Sequence, residues 1–89
     1  MTMQTMMKFA AAAALLFAVS AHAGPVNINT ADAQTLSEEL KGVGPAKAAA
    51  IVEDREANGA FVKPEDITRV GGIGEAIYEQ NKANIKVKD

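Results

Sequence analysis

The 89-residue chain contains no cysteine and no tryptophan, and its single histidine is His22. The absence of cysteine excludes disulfide bonds, a cysteine nucleophile and any zinc site built on cysteine. Aromatic residues make up only 4% of the chain, so a row of aromatic side chains for stacking on bases is not expected. The length allows one small domain at most.

The N-terminal residues have the pattern of a secretory signal peptide. Lys8 precedes an unbroken apolar run of 11 residues from Phe9 to Val19, and Ala21-His22-Ala23 provides small residues before a cleavage point. A retained transmembrane anchor is the competing interpretation, but 11 residues of helix rise only about 16 Å against a hydrocarbon core of about 30 Å. We therefore expect cleavage after Ala23, an exported mature domain of residues 24–89, and no stable membrane insertion.

The mature chain has few groups for catalysis. Residues 1–23 contain one lysine, no acid and the only histidine, so residues 24–89 have 8 basic and 11 acidic side chains, a net charge of -3. With no histidine and a single serine, Ser37, a Ser/His triad is excluded, as is a Cys/His zinc site. Carboxylate catalysis remains open in principle, but the acids follow helical patterns typical of a solvated face. We predict that the protein is not an enzyme and needs no cofactor.

An internal repeat organises the mature chain. The tripeptides Gly42-Val43-Gly44 (the first hairpin) and Gly72-Ile73-Gly74 (the second hairpin) lie 30 residues apart. Apolar residues at helical spacing flank each tripeptide. Because a duplicated pattern is more specific than a single Gly-x-Gly, we predict two helix-hairpin-helix units.

Start and stop signals predict four short helices and an all-α fold. Asp32 is a good N-cap for a helix from Ala33 to Leu40, and Pro45 begins a helix that runs to about Ala57. Pro64 begins a third helix, and a fourth extends from about Glu75 to Ala83. Residues 26–28 and 85–87 are predicted to form short extended arms.

Each glycine hairpin is a candidate anion site. A helix that restarts after glycine exposes its first N–H groups and the positive end of its dipole. Glycine also lets a phosphate approach the backbone closely, while Val43 or Ile73 between the glycines is expected to point into the core. Two such sites related by a pseudo-twofold axis would match the two phosphate tracks of a duplex.

The chain resembles the ComEA-type helix-hairpin-helix domain of bacterial competence proteins over residues 26–87. The residues that carry the resemblance are Val26-Asn27-Ile28-Asn29-Thr30-Ala31, Leu36, Gly42-Val43-Gly44-Pro45-Ala46-Lys47-Ala48, Ile51, Arg55-Glu56-Ala57-Asn58-Gly59, Phe61 and Gly72-Ile73-Gly74-Glu75. The resemblance implies sequence-independent binding of double-stranded DNA in the periplasm during transformation. It also implies contact with the uptake machinery, either a pilus or an inner-membrane channel.

Site residues follow from the resemblance by motif position. The implied phosphate-binding residues are Gly42, Val43, Gly44, Ala46 and Lys47 in the first unit, and Gly72, Ile73, Gly74, Ala76 and Ile77 in the second. The amides of Gly44, Lys47, Gly74 and Ile77 would meet phosphate directly, and Lys41 and Arg69 would add supporting charge. In similar hairpins a monovalent cation can bridge main-chain carbonyls to phosphate, and the matching carbonyls here are those of Leu40, Val43, Val70 and Ile73.

Two departures from the family pattern indicate a weaker second hairpin. Ala76 stands where relatives often carry lysine, and Asn81 stands where an apolar residue would continue the buried face of the last helix. The acidic net charge also differs from the basic surface expected of a duplex-binding protein. The alternative hypothesis is therefore a helix-hairpin-helix adaptor for protein interactions with little affinity for DNA.

Overall fold

The computed structural model describes residues 24–89, so the predicted signal peptide lies outside the described residues. The elements in chain order are strand β1 (Val26–Asn27), helix α1 (Ala33–Glu39), helix α2 (Pro45–Asn58), a first 3₁₀ helix (Pro64–Arg69), helix α3 (Glu75–Asn81), a second 3₁₀ helix (Lys82–Asn84) and strand β2 (Ile85–Lys86). The all-α prediction is confirmed, and both predicted extended arms form a strand.

Helix α1 begins where its predicted cap is placed. The backbone N–H of Thr35 donates to Asp32 Oδ1 at 2.8 Å, as expected of an N-cap aspartate. This backbone hydrogen bond from Thr35 holds the pKa of the Asp32 carboxyl below its ordinary value. Helix α2 begins at Pro45, where a missing N–H has no cost, and it ends one residue beyond the predicted limit.

The third predicted helix is a 3₁₀ helix, which corrects the prediction in type. Asp66 Oδ2 accepts the backbone N–H groups of Val62 and Lys63, both at 3.1 Å, and so closes the turn at the start of this segment. The segment has only six residues before Val70 becomes extended. Short segments of this kind commonly adopt the tighter 3₁₀ winding. The predicted fourth helix likewise changes from α to 3₁₀ after Asn81.

The two ends of the domain pair with each other. Strands β1 and β2 are parallel, with Val26 opposite Ile85. The Asn29 side chain then joins two more segments, since its Oδ1 accepts from Phe61 N at 2.8 Å and its Nδ2 donates to Val87 O at 2.8 Å. These polar contacts close a small domain that has no cysteine for a disulfide.

A single apolar core lies between the two helix-hairpin-helix units. Phe61 is only 2% exposed, as expected for the lone aromatic residue after the connecting turn. The core residues are Val26, Ile28, Leu36, Leu40, Val43, Ala48, Ile51, Phe61, Ile67, Val70, Ile73 and Ile85. Both units contribute to this list, so neither unit has a complete core of its own.

We predict that Gly42→Ala destabilises the domain by roughly 1–2 kcal/mol, because an L residue is strained at the positive φ of 77° found there. The matched control is Gly71→Ala, whose φ is not positive and whose added Cβ meets nothing within 4 Å. Urea denaturation followed by circular dichroism measures both. Equal losses of stability in the two variants would contradict the assignment of strain to Gly42.

Candidate nucleic-acid interface

The first hairpin is a tight turn between α1 and α2. Val43 N–H donates to the carbonyl of Leu40 at 3.2 Å, and Gly42 between them has the left-handed conformation. Gly44 then has extended backbone and serves as the N-cap of α2, with its carbonyl accepting from Ala48 N–H at 2.9 Å. This sequence of conformations reverses the chain within three residues.

The second hairpin repeats this geometry. Ile73 N–H donates to the Val70 carbonyl at 3.0 Å, Gly72 has a φ of 91°, and Gly74 is the N-cap of α3. The central apolar residues Val43 and Ile73 are 3% and 2% exposed, so the prediction that both point into the core is confirmed.

The two hairpins pack against each other reciprocally. A Cβ placed on Gly42 would lie 3.6 Å from Cγ1 of Ile77, and one placed on Gly72 would lie 3.5 Å from Cγ and Cε of Lys47. Lys47 and Ile77 occupy equivalent positions of the 30-residue repeat. Each hairpin therefore lies beneath a side chain from the first turn of the other unit's second helix, as pseudo-twofold symmetry requires.

Both helix starts leave backbone donors without an intrahelical partner. In α2 these donors belong to Gly44, Ala46 and Lys47, because Pro45 has no N–H. In α3 they belong to Gly74, Glu75, Ala76 and Ile77. Gly44, Ala46, Gly74 and Ala76 are exposed, whereas Lys47 and Ile77 are half-buried. The structure thus brings the predicted residues of both units to adjoining turns.

Charge is distributed unequally between the two hairpins. The first hairpin has the exposed Lys41 on one side and Lys47 on the other, and neither ammonium has a carboxylate within 4.0 Å among residues 24–89. At the equivalent positions the second hairpin has Gly71 and Ile77, and Glu75 introduces an acid where the first has proline. By its own residues the second hairpin is therefore the less favourable site for an anion.

Arg69 does not supply free charge to the second hairpin, which corrects the sequence-based assignment. Its Nε lies 2.6 Å from Asp54 Oδ1, and one terminal nitrogen donates to the Gly59 carbonyl at 2.6 Å. Its guanidinium carbon also lies 4.3 Å from the centre of the Phe61 ring. Asp54 neutralises this arginine, and the Phe61 ring helps to fix its orientation. Arg69 therefore connects the first 3₁₀ helix to Asp54 in α2 and to the turn at Gly59.

Two C-terminal lysines also form ion pairs with acids of their own segments. Lys82 Nζ lies 2.8 Å from Glu79 Oε1, and this hydrogen bond raises the pKa of the Lys82 ammonium. Lys86 Nζ lies 3.4 Å from Asp89 Oδ1. A hydrogen bond from Asn27 and the nearby Lys86 together hold the pKa of Asp89 below its ordinary value. The positive charges of Lys82 and Lys86 are thus partly offset by acids of the protein itself.

Asn81 has a role that sequence reasoning missed. The expectation that it interrupts the packing of the last helix is wrong, because Asn81 is 3% exposed and fully hydrogen-bonded. Its Oδ1 accepts from Lys41 N–H at 2.7 Å, and its Nδ2 donates to the carbonyls of Lys41 and Ile77 at 2.9 and 2.8 Å. Helix α3 therefore supports the backbone at the entry to the first hairpin. A polar residue at the repeat position of the buried Ile51 was the signal available in the sequence.

Residues 24–89 offer no side-chain cluster for a metal ion and no membrane-spanning helix. That part of the chain contains no group of three or more His, Asp or Glu side chains arranged to hold a metal ion. The carbonyls of Leu40 and Val70 each accept one hydrogen bond inside their hairpin, which leaves a second lone pair on each, so the cation site suggested by the resemblance stays a prediction. Within the same range, every helix is too short or too polar to span a bilayer.

Comparison with known proteins assigns the family. A family model described as "Helix-hairpin-helix motif" matches residues 21–86. The chain belongs to the helix-hairpin-helix family. Its ComEA-like character, indicated by the motifs, is confirmed by 54% identity over 63 residues to ComE operon protein 1 of Bacillus subtilis, a match that covers 71% of this chain and 30% of that protein.

The chain is also similar to proteins from other organisms. An uncharacterized protein of Haemophilus influenzae is 45% identical over 60 residues, covering 67% of this chain and 54% of that protein. The human endonuclease/exonuclease/phosphatase family domain-containing protein 1 is 47% identical over 62 residues, covering 70% of this chain but 11% of that protein. The chain thus spans about half or less of the length of these relatives.

We predict that Asn81→Leu lowers the free energy of unfolding by roughly 1–3 kcal/mol, because the backbone groups of Lys41 lose their partners while the number of side-chain heavy atoms stays the same. The control is Gln80→Ala, an exposed position on the same helix. Urea denaturation compares the two variants with the parent. A leucine variant as stable as the parent would show that the buried amide contributes nothing.

Proposed function

We propose that residues 24–89 bind double-stranded DNA without sequence preference, by holding the phosphate backbone at both hairpins. The observation that carries this proposal is the reciprocal packing of Gly42 with Ile77 and of Gly72 with Lys47, which brings two helix starts side by side. Amides at helix starts bind anions, and phosphates do not differ with base sequence. The proposed contacts are the amides of Gly44, Lys47, Gly74 and Ile77.

Burial of the aromatic residues favours a duplex over a single strand. Phe61 is in the core and Tyr78 is partly buried against it, so residues 24–89 present no exposed aromatic platform for stacking on bases. Lys41 and Lys47 provide the electrostatic attraction to phosphate. With a net charge of -3 for these residues, we expect a single copy to bind in the range of about 10⁻⁴ to 10⁻⁶ M that is usual for non-specific association.

The biological role that we propose is DNA uptake in competence, with the domain located in the periplasm. The signal-like N-terminus supports export, and the similarity to ComE operon protein 1 supports a role in competence. A periplasmic protein that holds incoming duplex would favour its import by binding it as it arrives. Its partners would be the DNA and the uptake machinery, either a pilus or an inner-membrane channel.

A pair of substitutions at the N-caps tests the DNA proposal. We expect Gly44→Asp with Gly74→Asp to weaken duplex binding by about 60-fold at about 0.1 M salt, the effect of losing two phosphate contacts. Neither position is sterically closed, since an added Cβ meets nothing within 4 Å, and aspartate is itself a good N-cap. The matched control is Gly44→Asn with Gly74→Asn, which places an amide of the same shape without charge and should bind more tightly than the aspartate pair.

Mobility shifts on unrelated duplexes at several salt concentrations provide the measurement, after circular dichroism has verified helicity. If about four phosphates are neutralised, log K should fall with log salt at a slope near -3.6 for the parent and near -1.8 for the aspartate pair. Equal binding by the parent and a folded aspartate pair would refute the hairpin mechanism. Binding that does not change with salt would refute the electrostatic account, and no binding by the parent would favour the adaptor hypothesis.

Export and uptake are tested in cells. We expect osmotic shock to release a chain with the mass of residues 24–89, and Ala23→Phe to block this processing because a small residue is needed before the cut. Deletion of the gene should lower the amount of labelled duplex that becomes protected from external nuclease. Full-length protein retained in the cytosol would contradict the location, and unchanged DNA protection would contradict the role in uptake.

A further inference from the structure

The side chain of Lys47 begins in the first unit but lies across the second. Its Cγ and Cε are each 3.5 Å, and its Cδ 3.9 Å, from the position that a Cβ on Gly72 would occupy. The methylene chain therefore extends over the left-handed glycine of the second hairpin. Its half-buried state reflects this contact, since lysine commonly buries its stem and leaves the ammonium in water.

The second hairpin lacks a cation of its own. Its equivalents of Lys41 and Lys47 are Gly71 and Ile77, the exposed Glu75 adds negative charge, and the guanidinium of Arg69 is bound to Asp54. Lys47 has no carboxylate within 4.0 Å among residues 24–89, so no ion pair offsets its charge there. The ammonium nitrogen is one bond beyond Cε, which lies 3.5 Å from the position that a Cβ on Gly72 would occupy.

We propose that Lys47 is the phosphate-contacting cation of the second hairpin, although its backbone belongs to the first. This inference rests on the proposed function, because it assigns one charge to one of the two DNA strands. The strand on the first hairpin would then be held by Lys41, and the strand on the second by Lys47. The two units would bind as one composite surface, and separate hairpins could not reproduce it.

The reciprocal side chain supports this assignment from the opposite direction. Ile77 lies over Gly42 as Lys47 lies over Gly72, so the two crossing positions are equivalent in geometry and differ in charge. Of the two side chains that lie over the opposite hairpin, one is charged (Lys47) and one is apolar (Ile77). A lysine introduced at position 77 should add the missing cation over the first hairpin.

A double-mutant cycle tests which hairpin Lys47 serves. We expect Lys47→Met to weaken duplex binding by about eightfold at about 0.1 M salt and to reduce the salt slope by about 0.9, the effect of one lost phosphate contact. In a Gly74→Asp background the same change should cost less than about twofold, because the contact that it removes is already lost there. In a Gly44→Asp background the eightfold effect should remain.

Lys41→Met provides the matched control for this cycle. The loss of duplex binding that it causes should shrink in the Gly44→Asp background and stay unchanged in the Gly74→Asp background. Lys47→Arg should retain the parent affinity, since arginine keeps both the long stem and the charge. Fluorescence anisotropy of labelled duplex measures every variant, and urea denaturation verifies that each remains folded. A Lys47 effect that disappears with Gly44→Asp and persists with Gly74→Asp would overturn the inference while leaving DNA binding intact; absence of parent binding would instead refute the proposed function.

Substitution of Ile77, the position equivalent to Lys47, tests whether an added lysine strengthens duplex binding. Ile77→Lys should tighten duplex binding by about eightfold at about 0.1 M salt and increase the magnitude of the salt slope by about 0.9. Ile77→Met keeps an apolar side chain there, so the comparison of the two variants isolates the added charge, and the slope of Ile77→Lys should exceed that of Ile77→Met in magnitude by about 0.9. A folded Ile77→Lys variant with the parent's slope would show that a crossing lysine does not reach phosphate, and it would overturn the inference.

Discussion

The packing of each hairpin beneath the other unit's second helix is the constraint on which the rest of this structure depends. Helices of 7 residues, such as α1 and α3, are too short to be stable alone in water. The backbone turns at Gly42 and Gly72 with a positive φ, a conformation that glycine adopts without strain. Ile77 packs over Gly42, and Lys47 packs over Gly72. The two units therefore stabilise each other, and the same contact places both helix starts side by side.

Buried amides complete what apolar packing begins. Asn81 joins α3 to the backbone of Lys41, and Asn29 joins the N-terminal arm to Phe61 and Val87. Each asparagine donates and accepts at once, so it can satisfy both the N–H and the C=O of one residue that has no partner in a helix or sheet, as Asn81 does for Lys41 and Asn29 for Phe61. Within residues 24–89, no buried side-chain nitrogen or oxygen lacks a hydrogen bond. A domain without disulfides thus gains specific long-range connections from two polar side chains.

The symmetry of the backbone does not extend to the charges. Lys41, Pro45 and Lys47 of the first unit correspond to Gly71, Glu75 and Ile77 of the second, so equivalent turns differ in net charge. This difference is compatible with the proposed anion binding in an acidic protein, since Lys41 and Lys47 both lie at the hairpins and neither has a carboxylate within 4.0 Å among residues 24–89. In the proposed composite surface, a charge need not belong to the hairpin that it serves.

The sequence by itself determined the elements, because their signals are local. Caps, prolines and glycines at fixed offsets indicated three helix starts at the observed residues, both hairpins and the apolar residues Val43 and Ile73. Local pattern did not distinguish the 3₁₀ winding of Pro64–Arg69 from an α-helix. Only the tertiary structure decided the roles of Arg69, Asn81 and Lys47, whose partners Asp54, Lys41 and Gly72 lie 15 to 40 residues away. The physical reason is that a long polar side chain reaches whichever group the fold brings near it, and spacing along the chain does not encode that distance.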